Sequence, residues 1–358
     1  MDFEGGGSGS LRAVRIQENV ELGPLTTLGV GGPARYFAVA ENEADVAEAV
    51  QWAEARRLPL FVLGGGSNLL VSDAGFSGLV LQIATKGVRD RGEGVFEVGA
   101  GEVWDEFVYR MVRAGMQGVE CLAGIPGSVG GTPVQNVGAY GQEVAETIVL
   151  VRAFDRKTGG FVELDREACK FRYRKSLFNK DEPYRYIVTR VVFKLHPDAQ
   201  PRVTYGDIKR YFAESSELAD LQSVAAAVRR IRHGKGMLIV EGDPDCRSAG
   251  SFFKNPVVTA GRLGEVAVVA EVGEETVPHW PAGDGEVKLS AAWLIERAGF
   301  GKGFSDGAAG ISSRHTLALI NRGGAKAADI ERLQGRIQDG VWVKFGVELE
   351  REPVKLGE

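Results

Sequence analysis

Residues 250–256, with the sequence GSFFKNP, place one small hydroxyl, that of Ser251, beside two phenylalanines and next to a lysine and an asparagine. A serine hydroxyl is a poor acid in water, and it donates a proton usefully only where a reacting carbon is held beside it and water is excluded. Phe252 and Phe253 can exclude water, although strand alternation predicts that only one of them faces the site. The alternative is a serine at the buried end of a strand, followed by a turn.

Two loops rich in glycine are candidate sites for a phosphate group. The first, LGGGSNLL, follows a short apolar run, and its three glycines can bring backbone N–H groups close to a phosphate. It has neither the Walker pattern nor the G-x-G-x-x-G pattern, so a tight turn after a strand remains the alternative. The second, GIPGSVGGTPVQNVGAYG, has no helical or strand period, and a loop of this length is usually functional.

The segments around these loops predict short strands and amphipathic helices. Strands are predicted at residues 59–63, 79–83, 95–98, 185–195 and 315–321, with a hairpin over 147–165 that turns at 158–160. Helices are predicted at residues 41–59, with Asn42 as N-cap, and at 103–116, 221–236, 290–299 (with Ser290 as N-cap) and 325–346. The pattern is that of an α+β protein.

The composition excludes several classes of function. The 358 residues are 44% hydrophobic and 25% charged with a net charge of -5, so no basic field is available for nucleic acid. No apolar run approaches the length of roughly 20 residues that a membrane span requires, and no signal peptide opens the chain. Three widely spaced cysteines form neither a disulfide framework nor a metal pattern. We therefore expect a cytoplasmic enzyme or binding protein without a metal.

Six motifs in order carry a resemblance to a known family. They are TTLGVGGPARYF, LGGGSNLLVSDAGFSGLVL, AGIPGSVGGTPVQNVGAYGQE, YRKSLF, RSAGSFFKNP and LSAAWLIERAGF. Over residues 11–358 the chain resembles the UDP-N-acetylenolpyruvoylglucosamine reductases (UDP-N-acetylmuramate dehydrogenases), in the subclass that has a tyrosine in a substrate loop. The resemblance implies a vanillyl-alcohol-oxidase-type (PCMH-type) FAD-binding domain of two α+β subdomains, plus a smaller α+β substrate-binding domain.

The resemblance also predicts how the chain is divided. Residues 1–10 are interpreted as a flexible Gly/Ser tail or a cloning remnant. The FAD-binding region is predicted at 11–205, with subdomains at about 11–84 and 85–205, and the substrate-binding domain at 206–346. Residues 347–358 are expected to return to the FAD-binding region, and the protein is expected to be a monomer.

By the same resemblance the two glycine loops bind FAD without a covalent link. In the first glycine loop (residues 63–69) the predicted contacts are Leu63, Gly64, Gly65, Gly66, Ser67, Asn68 and Leu69. In the second glycine loop (residues 125–140) they are Ile125, Pro126, Gly127, Ser128, Gly130, Gly131, Gln135, Asn136, Gly138, Ala139 and Tyr140. Cys121, the nearest candidate for a covalent flavin link, is interpreted as a small buried apolar residue.

The implied reaction is the NADPH-dependent reduction of UDP-N-acetylglucosamine enolpyruvate to UDP-N-acetylmuramate, a step in peptidoglycan precursor synthesis. Ser251 matches the family's proton donor, and Arg174 matches an arginine that polarises the enolpyruvyl carboxylate. Glu352 matches a C-terminal carboxylate beside that arginine. Arg351 stands where many members have proline, so the neighbouring Glu350 is the alternative carboxylate.

For the UDP part, the resemblance implies Tyr205 as a lid and Lys235 as a cation for the diphosphate, with Asn255 beside it. His315 aligns with a polar position near the uridine, and a core histidine is the alternative. Two other functions remain open from the residues alone. One is a sugar or alcohol oxidase on the same flavin fold, and the other is a flavin- or nucleotide-binding module without catalysis.

Overall fold

The structure, a computed structural model, describes residues 14–215 and 217–358. The predicted tail, residues 1–10, lies outside the described residues. The α-helices are α1 (Glu43–Ala55), α2 (Trp104–Arg113), α3 (Gly131–Gln135), α4 (Gly206–Glu214), α5 (Leu221–Gly234), α6 (Ala260–Val269), α7 (Ala291–Arg297) and α8 (Ala327–Phe345). The strands are β1 (Ile16–Glu21), β2 (Pro33–Ala40), β3 (Leu60–Leu63), β4 (Leu69–Val71), β5 (Phe76–Ile83), β6 (Val88–Asp90), β7 (Val95–Gly99), β8 (Met116–Gln117), β9 (Gly138–Ala139), β10 (Gln142–Glu143), β11 (Ile148–Asp155), β12 (Gly160–Asp165), β13 (Tyr186–Lys194), β14 (His196–Pro197), β15 (Val257–Thr259), β16 (His279–Gly283), β17 (Glu286–Leu289), β18 (Ser305–Asp306), β19 (Ala309–Ile311), β20 (Leu319–Asn321) and β21 (Val354–Leu356).

The first sheet has the strand order β1-β2-β5-β3, and its last three strands are parallel. Strands β2 and β3 lie parallel on either side of β5, and α1 makes the crossover connection between them. The helix begins where the sequence predicts, because the Asn42 side chain accepts a hydrogen bond of 3.0 Å from the Asp45 N–H. The first glycine loop leaves β3 at its carboxyl end, where the sheet gives way to an open cavity.

The second sheet is antiparallel, with the strand order β12-β11-β13-β7-β6. Its hairpin β11–β12 turns at the predicted residues, since Asp155 pairs with Gly160 across the turn. Trp104 and Phe107 of α2 pack against Phe193 of β13, with ring centroids 5.9 and 5.1 Å apart. Buried residues of both sheets belong to one continuous apolar core, so the two sheets of the first half are packed together.

Helices α4 and α5 also pack against this first core. Ile208, Val224 and Val228 are fully buried in it, and α5 lies against α2. Both helices are therefore packed against the core of the first half of the chain, whereas the sequence predicts them in the second half. The predicted boundary between residues 205 and 206 stays a prediction.

The second half is built on two small sheets, β15-β17-β16 and β18-β19-β20, with α6, α7 and α8. Ser290 caps α7 as predicted, since its hydroxyl accepts the N–H of Trp293 at 3.3 Å. The predicted strand over residues 315–321 is shorter in the structure, because a turn closed by the Ala318 N–H and the His315 carbonyl precedes β20. Phe252 and Phe253 are fully buried in the second core. Within the described residues, none of the helices has both the length and the apolar character to cross a membrane.

Candidate active site

A cavity of about 640 Å³ lies between the two glycine loops and the second half of the chain. Its lining includes Ser251, Arg174 and Glu352, which are 77 or more positions apart in the sequence. The four residues predicted for the UDP part also line it: Tyr205, Lys235, Asn255 and His315. The fold therefore brings the two predicted loops and the predicted polar residues to one place.

The first glycine loop packs backbone to backbone against its surroundings. A Cβ atom on Gly65 would lie 2.6 Å from the Cα of Gly127 in the second glycine loop, and one on Gly66 would lie 1.9 Å from the Leu25 carbonyl oxygen. Gly66 also has a φ of 63°, which favours glycine. Without side chains in the way, backbone N–H groups of the loop can approach an anion, and this close-packed pair of loops fits a dinucleotide cofactor.

The second glycine loop is not wholly irregular, contrary to the prediction, because residues 131–135 form the single turn α3. The turn ends at Asn136, whose φ of 41° is left-handed. The Asn136 amide donates to Glu143 Oε2 at 2.9 Å and to the Arg172 carbonyl at 3.0 Å. Asn136 is buried and does not belong to the cavity lining, whereas the other predicted cofactor contacts do. Its side chain holds the shape of the loop.

Arg174 and Glu352 form an ion pair at the cavity, with Arg174 Nε 3.2 Å from Glu352 Oε1. The guanidinium is fixed from the other side as well, since its Nη2 donates to the Gly138 carbonyl at 2.7 Å. Burial raises the pKa of the Glu352 carboxyl, and the charges of Arg174 and Lys254 oppose that rise. Both members of the pair retain about a fifth of their side-chain surface, so a ligand in the cavity can reach them.

Backbone pairing explains why Glu352, and not Glu350, lies in the cavity. The Glu352 N–H donates to the Phe252 carbonyl at 2.9 Å, and the Lys254 N–H donates to the Glu350 carbonyl at 2.9 Å. The Glu350 side chain is 73% exposed and pairs with Lys254 Nζ at 2.5 Å. The sequence did not decide between the two carboxylates, and in the structure Glu352 is the one that lies beside Arg174.

The same pairing orients the segment that carries Ser251. Of the two phenylalanines, Phe253 lines the cavity and Phe252 does not, as strand alternation predicted. Both rings are buried and meet edge to face, with centroids 5.4 Å apart. Ser251 therefore stands at the edge of a dry apolar core and beside the cavity.

Tyr205 and Lys235 meet through Tyr140 of the second glycine loop. The two tyrosine rings lie edge to face with centroids 5.5 Å apart, and Lys235 Nζ lies 5.6 Å from the centre of the Tyr140 ring. Lys235 Nζ also contacts Asp207 Oδ2 at 2.7 Å. Tyr205 is 44% exposed and stands at the start of α4, where it can turn over a bound ligand.

Asn255 and His315 complete the side of the cavity formed by the second half. Asn255 Oδ1 accepts the N–H of Ala291 at 3.0 Å and so holds the start of α7. Burial, together with the positive charges of Lys235 and Lys302, lowers the pKa of His315 to about 4. At neutral pH the imidazole is therefore uncharged, with one nitrogen able to donate and the other to accept.

Sequence reasoning missed Arg232, a buried arginine in the cavity lining. Its Nε donates to the Gly124 carbonyl at 3.0 Å and its Nη2 donates to the Met237 carbonyl at 2.7 Å. The available signal was the spacing of three residues from Arg232 in the last turn of α5 to Lys235 directly after it, which brings the two cations close together. Cys121, by contrast, is fully buried outside the cavity lining, where its thiol donates to the Arg202 carbonyl.

Comparisons with known proteins agree with this geometry. Residues 34–165 match the family described as FAD binding domain, and residues 243–356 match the family described as UDP-N-acetylenolpyruvoylglucosamine reductase, C-terminal domain. The chain is 46% identical over 364 residues to the UDP-N-acetylenolpyruvoylglucosamine reductase of Streptomyces coelicolor, covering 98% of this chain and 92% of the relative. The chain belongs to the UDP-N-acetylenolpyruvoylglucosamine reductase family.

Two further relatives support the same assignment. The UDP-N-acetylenolpyruvoylglucosamine reductase of Nocardia farcinica is 47% identical over 348 residues, covering 96% of this chain and 90% of the relative. The crystal structure of the UDP-N-acetylenolpyruvylglucosamine reductase from Thermus caldophilus has a TM-score of 0.67 and 30% identity, covering 96% of this chain and all of the other.

Membership in the reductase family confirms two predictions. The fold class is α+β, with an FAD-binding domain matched over residues 34–165 and the C-terminal domain of the reductase family matched over residues 243–356. FAD is the cofactor, and the glycine loops, whose backbones leave no room for a Cβ at Gly65 or Gly66, fit its diphosphate. The position of Cys121 outside the cavity lining is consistent with noncovalent binding.

The Gly65→Ala substitution tests the fit between the two glycine loops. The added Cβ would meet backbone atoms of Gly127 that cannot yield, so the loops would have to separate. We expect FAD affinity to fall at least about tenfold, measured by flavin fluorescence titration of the apoprotein. Gly335→Ala in α8 is the matched control, because nothing lies within 4 Å of its added Cβ. Unchanged FAD affinity of the Gly65→Ala protein would contradict this account of the loops.

Proposed function

We propose that this protein catalyses the NADPH-dependent reduction of UDP-N-acetylglucosamine enolpyruvate to UDP-N-acetylmuramate. The observation that carries the proposal is the meeting of Ser251 and the Arg174–Glu352 pair in a cavity that both glycine loops line. The two glycine loops would hold FAD, which would supply a hydride, taken up from NADPH, to the methylene carbon of the enolpyruvyl group. The chain must then hold the substrate, stabilise the charge that develops, and supply a proton.

Arg174 meets the need for a cation. Hydride addition places negative charge on the carbon beside the carboxylate and on the carboxylate itself, and a fixed guanidinium in a partly buried site stabilises that charge. Hydrogen bonding to the Gly138 carbonyl and pairing with Glu352 hold the guanidinium in one orientation before the substrate arrives. Glu352 is thus proposed to orient Arg174.

Ser251 is the proposed proton donor. Its hydroxyl transfers a proton to the carbon that carries the developing charge, which a weak acid can do only when water is kept away. Phe253 closes the apolar side of the cavity next to it. Arg174 thus stabilises the charge on the substrate, and the proton from Ser251 neutralises it.

The UDP part is proposed to lie along the residues that the second glycine loop shares with α4 and α5. Lys235 and Arg232 supply cations for the diphosphate, and Tyr205 covers it from the start of α4. The neutral His315 and the amide of Asn255 offer polar groups from the second half of the chain. Three further parts of this proposal rest on the sequence alone. They are the predicted domain boundaries, a cytoplasmic location and a monomeric state.

An anaerobic two-step experiment tests the proposed function. NADPH is added to the FAD-loaded protein, and the flavin absorbance is followed; UDP-N-acetylglucosamine enolpyruvate is added next. We expect NADPH to bleach the flavin and the sugar to restore its colour, with UDP-N-acetylmuramate formed in equal amount. Bleaching without recovery on addition of the sugar would contradict the proposal, and recovery only on admission of oxygen would favour an oxidase.

The Ser251→Ala variant tests the proton donor. Loss of a general acid costs about 10²–10⁴-fold in rate, so we expect the recovery step to slow at least about 100-fold. The bleaching step needs no proton from Ser251 and stays close to its original rate. Ser77→Ala, at an exposed position of β5, is the control. A Ser251→Ala protein that recovers at the original rate would remove Ser251 from the mechanism.

The Glu352→Gln variant tests the ion pair through its pH dependence. Burial raises the pKa of Glu352 above its ordinary value of 4.5, so protonation on lowering the pH begins earlier than for an exposed glutamate. Because the charged carboxylate orients Arg174, the recovery rate should fall as the pH is lowered through this raised pKa. In Glu352→Gln this decrease of the recovery rate at low pH (the acid limb of the pH profile) should disappear, and the rate should stay low at every pH.

Glu350→Gln is the matched control for this experiment, since the exposed Glu350 pairs with Lys254 and not with Arg174. It should keep both the rate and the acid limb. An unchanged acid limb in Glu352→Gln, or its loss in Glu350→Gln, would show that the titrating group is not Glu352.

A further inference from the structure

Thr27 contacts both the first glycine loop and the segment that leads to Ser251. Its backbone N–H donates to the Gly66 carbonyl at 3.1 Å. Its hydroxyl donates to the Ser248 carbonyl at 2.7 Å, while the Ser67 carbonyl lies 3.5 Å away. A hydroxyl has one proton, and the shorter distance assigns it to Ser248. Thr27 therefore bridges the loop that fits FAD and the other half of the chain.

The contact at Ser248 has a direct effect on the place of Ser251, because only two residues separate them. Ser248 is buried, pairs with Ile320 in an isolated bridge, and accepts the Gly250 N–H at its hydroxyl, at 3.4 Å. Gly250 then turns the chain with a φ of 71°. A shift of the Ser248 carbonyl is passed to Ser251 through this short, constrained turn.

Two more polar contacts join the same halves of the chain farther from Ser251. The buried Asn321 amide donates to the carbonyls of Leu28 and Gly29, both at 3.2 Å. The Asp73 carboxylate accepts the N–H groups of Ala327 and Ala328 at the start of α8, at 2.8 and 3.0 Å. These contacts can keep the halves docked when Thr27 is changed, so the role of Thr27 can be tested without unfolding the interface.

We propose that Thr27 is a positioning residue that fixes Ser251 relative to the first glycine loop. The inference rests on the proposed function, in which hydride and proton reach neighbouring carbons from opposite halves of the chain. The hydride comes from the side that the glycine loops hold, and the proton comes from Ser251. A misplacement of about 1 Å between reacting groups can cost about 100-fold in rate, so this distance must be held.

Thr27→Val is the variant that separates the two contacts of Thr27. Valine keeps the backbone N–H that holds Gly66 and has nearly the same shape, but it leaves the Ser248 carbonyl without its partner. We expect the NADPH step to change less than about twofold, and recovery with the enolpyruvyl sugar to slow about tenfold or more. The solvent deuterium isotope effect on the recovery step should rise, because proton transfer then limits that step.

Two control variants and one check of folding accompany this experiment. Thr27→Ser keeps the hydroxyl and should restore most of the recovery rate. Thr26→Val removes hydrogen bonds that stay within the loop, to the Gly23 carbonyl and from the Gly29 N–H, and should leave both steps unchanged. The flavin spectrum and the FAD content of each variant show whether it is folded and loaded.

The outcomes distinguish this inference from the proposed function. Equal slowing of both steps in Thr27→Val, or a recovery step at the original rate and isotope effect, would overturn the positioning role. A Thr27→Ser protein as slow as Thr27→Val would overturn it as well, because the hydroxyl would not be the active feature. Failure of the original protein to recover with the sugar would instead overturn the proposed function, and this inference with it.

Discussion

The site depends on one extended segment near the C-terminus, which pairs with two distant parts of the chain. Through Glu350 and Glu352 its backbone pairs with the segment after Ser251, by two hydrogen bonds of 2.9 Å. Directly afterwards, β21 runs parallel to β4, and the Val354 N–H donates to the Asn68 carbonyl at 3.0 Å. Residues 350–356 thus join the first glycine loop to the segment that carries Ser251. Glu352, on this segment, therefore lies where the first glycine loop and the segment that carries Ser251 meet.

The ion pair of Arg174 and Glu352 follows from that arrangement. A partly buried carboxylate is costly unless a cation is near, and Arg174 supplies it at 3.2 Å. Arg174 itself adopts a left-handed backbone with a φ of 54°, a conformation that costs a non-glycine residue about 1 kcal/mol or more and persists only where its surroundings hold it. The bond to the Gly138 carbonyl belongs to those surroundings. Strain and burial are thus concentrated where the substrate's carboxylate is proposed to bind.

Much of this site could be predicted from the sequence because its motifs are local. The two glycine loops, Ser251 and Arg174 each stand in a short, recognisable stretch, and the caps at Asn42 and Ser290 follow from local hydrogen-bond chemistry. The choice between Glu350 and Glu352 could not be made from the sequence, because it depends on pairing with a segment almost 100 positions away. The bridge made by Thr27 could not be foreseen for the same reason.

Other differences arise where tertiary packing overrides local pattern. Helices α4 and α5 look like part of the second half in sequence order, yet their apolar faces are buried in the first core. Asn136 lies inside a glycine-rich loop that fits FAD, yet its side-chain N–H groups donate to Glu143 and to the Arg172 carbonyl. The strand predicted over residues 315–321 is shorter in the structure, because a turn that begins at His315 precedes β20. His315 lies in the cavity lining.

The proposed chemistry requires one cavity to hold the cofactor against the glycine loops and the substrate against Ser251 and Arg174. A crystal structure of the protein with FAD and UDP-N-acetylglucosamine enolpyruvate tests it most directly. We expect the FAD diphosphate to lie against the first glycine loop and the enolpyruvyl carboxylate to contact Arg174. We expect the Ser251 hydroxyl to lie next to the carbon that is protonated. An enolpyruvyl group bound away from Arg174, or a Ser251 hydroxyl that faces away from that carbon, would contradict it.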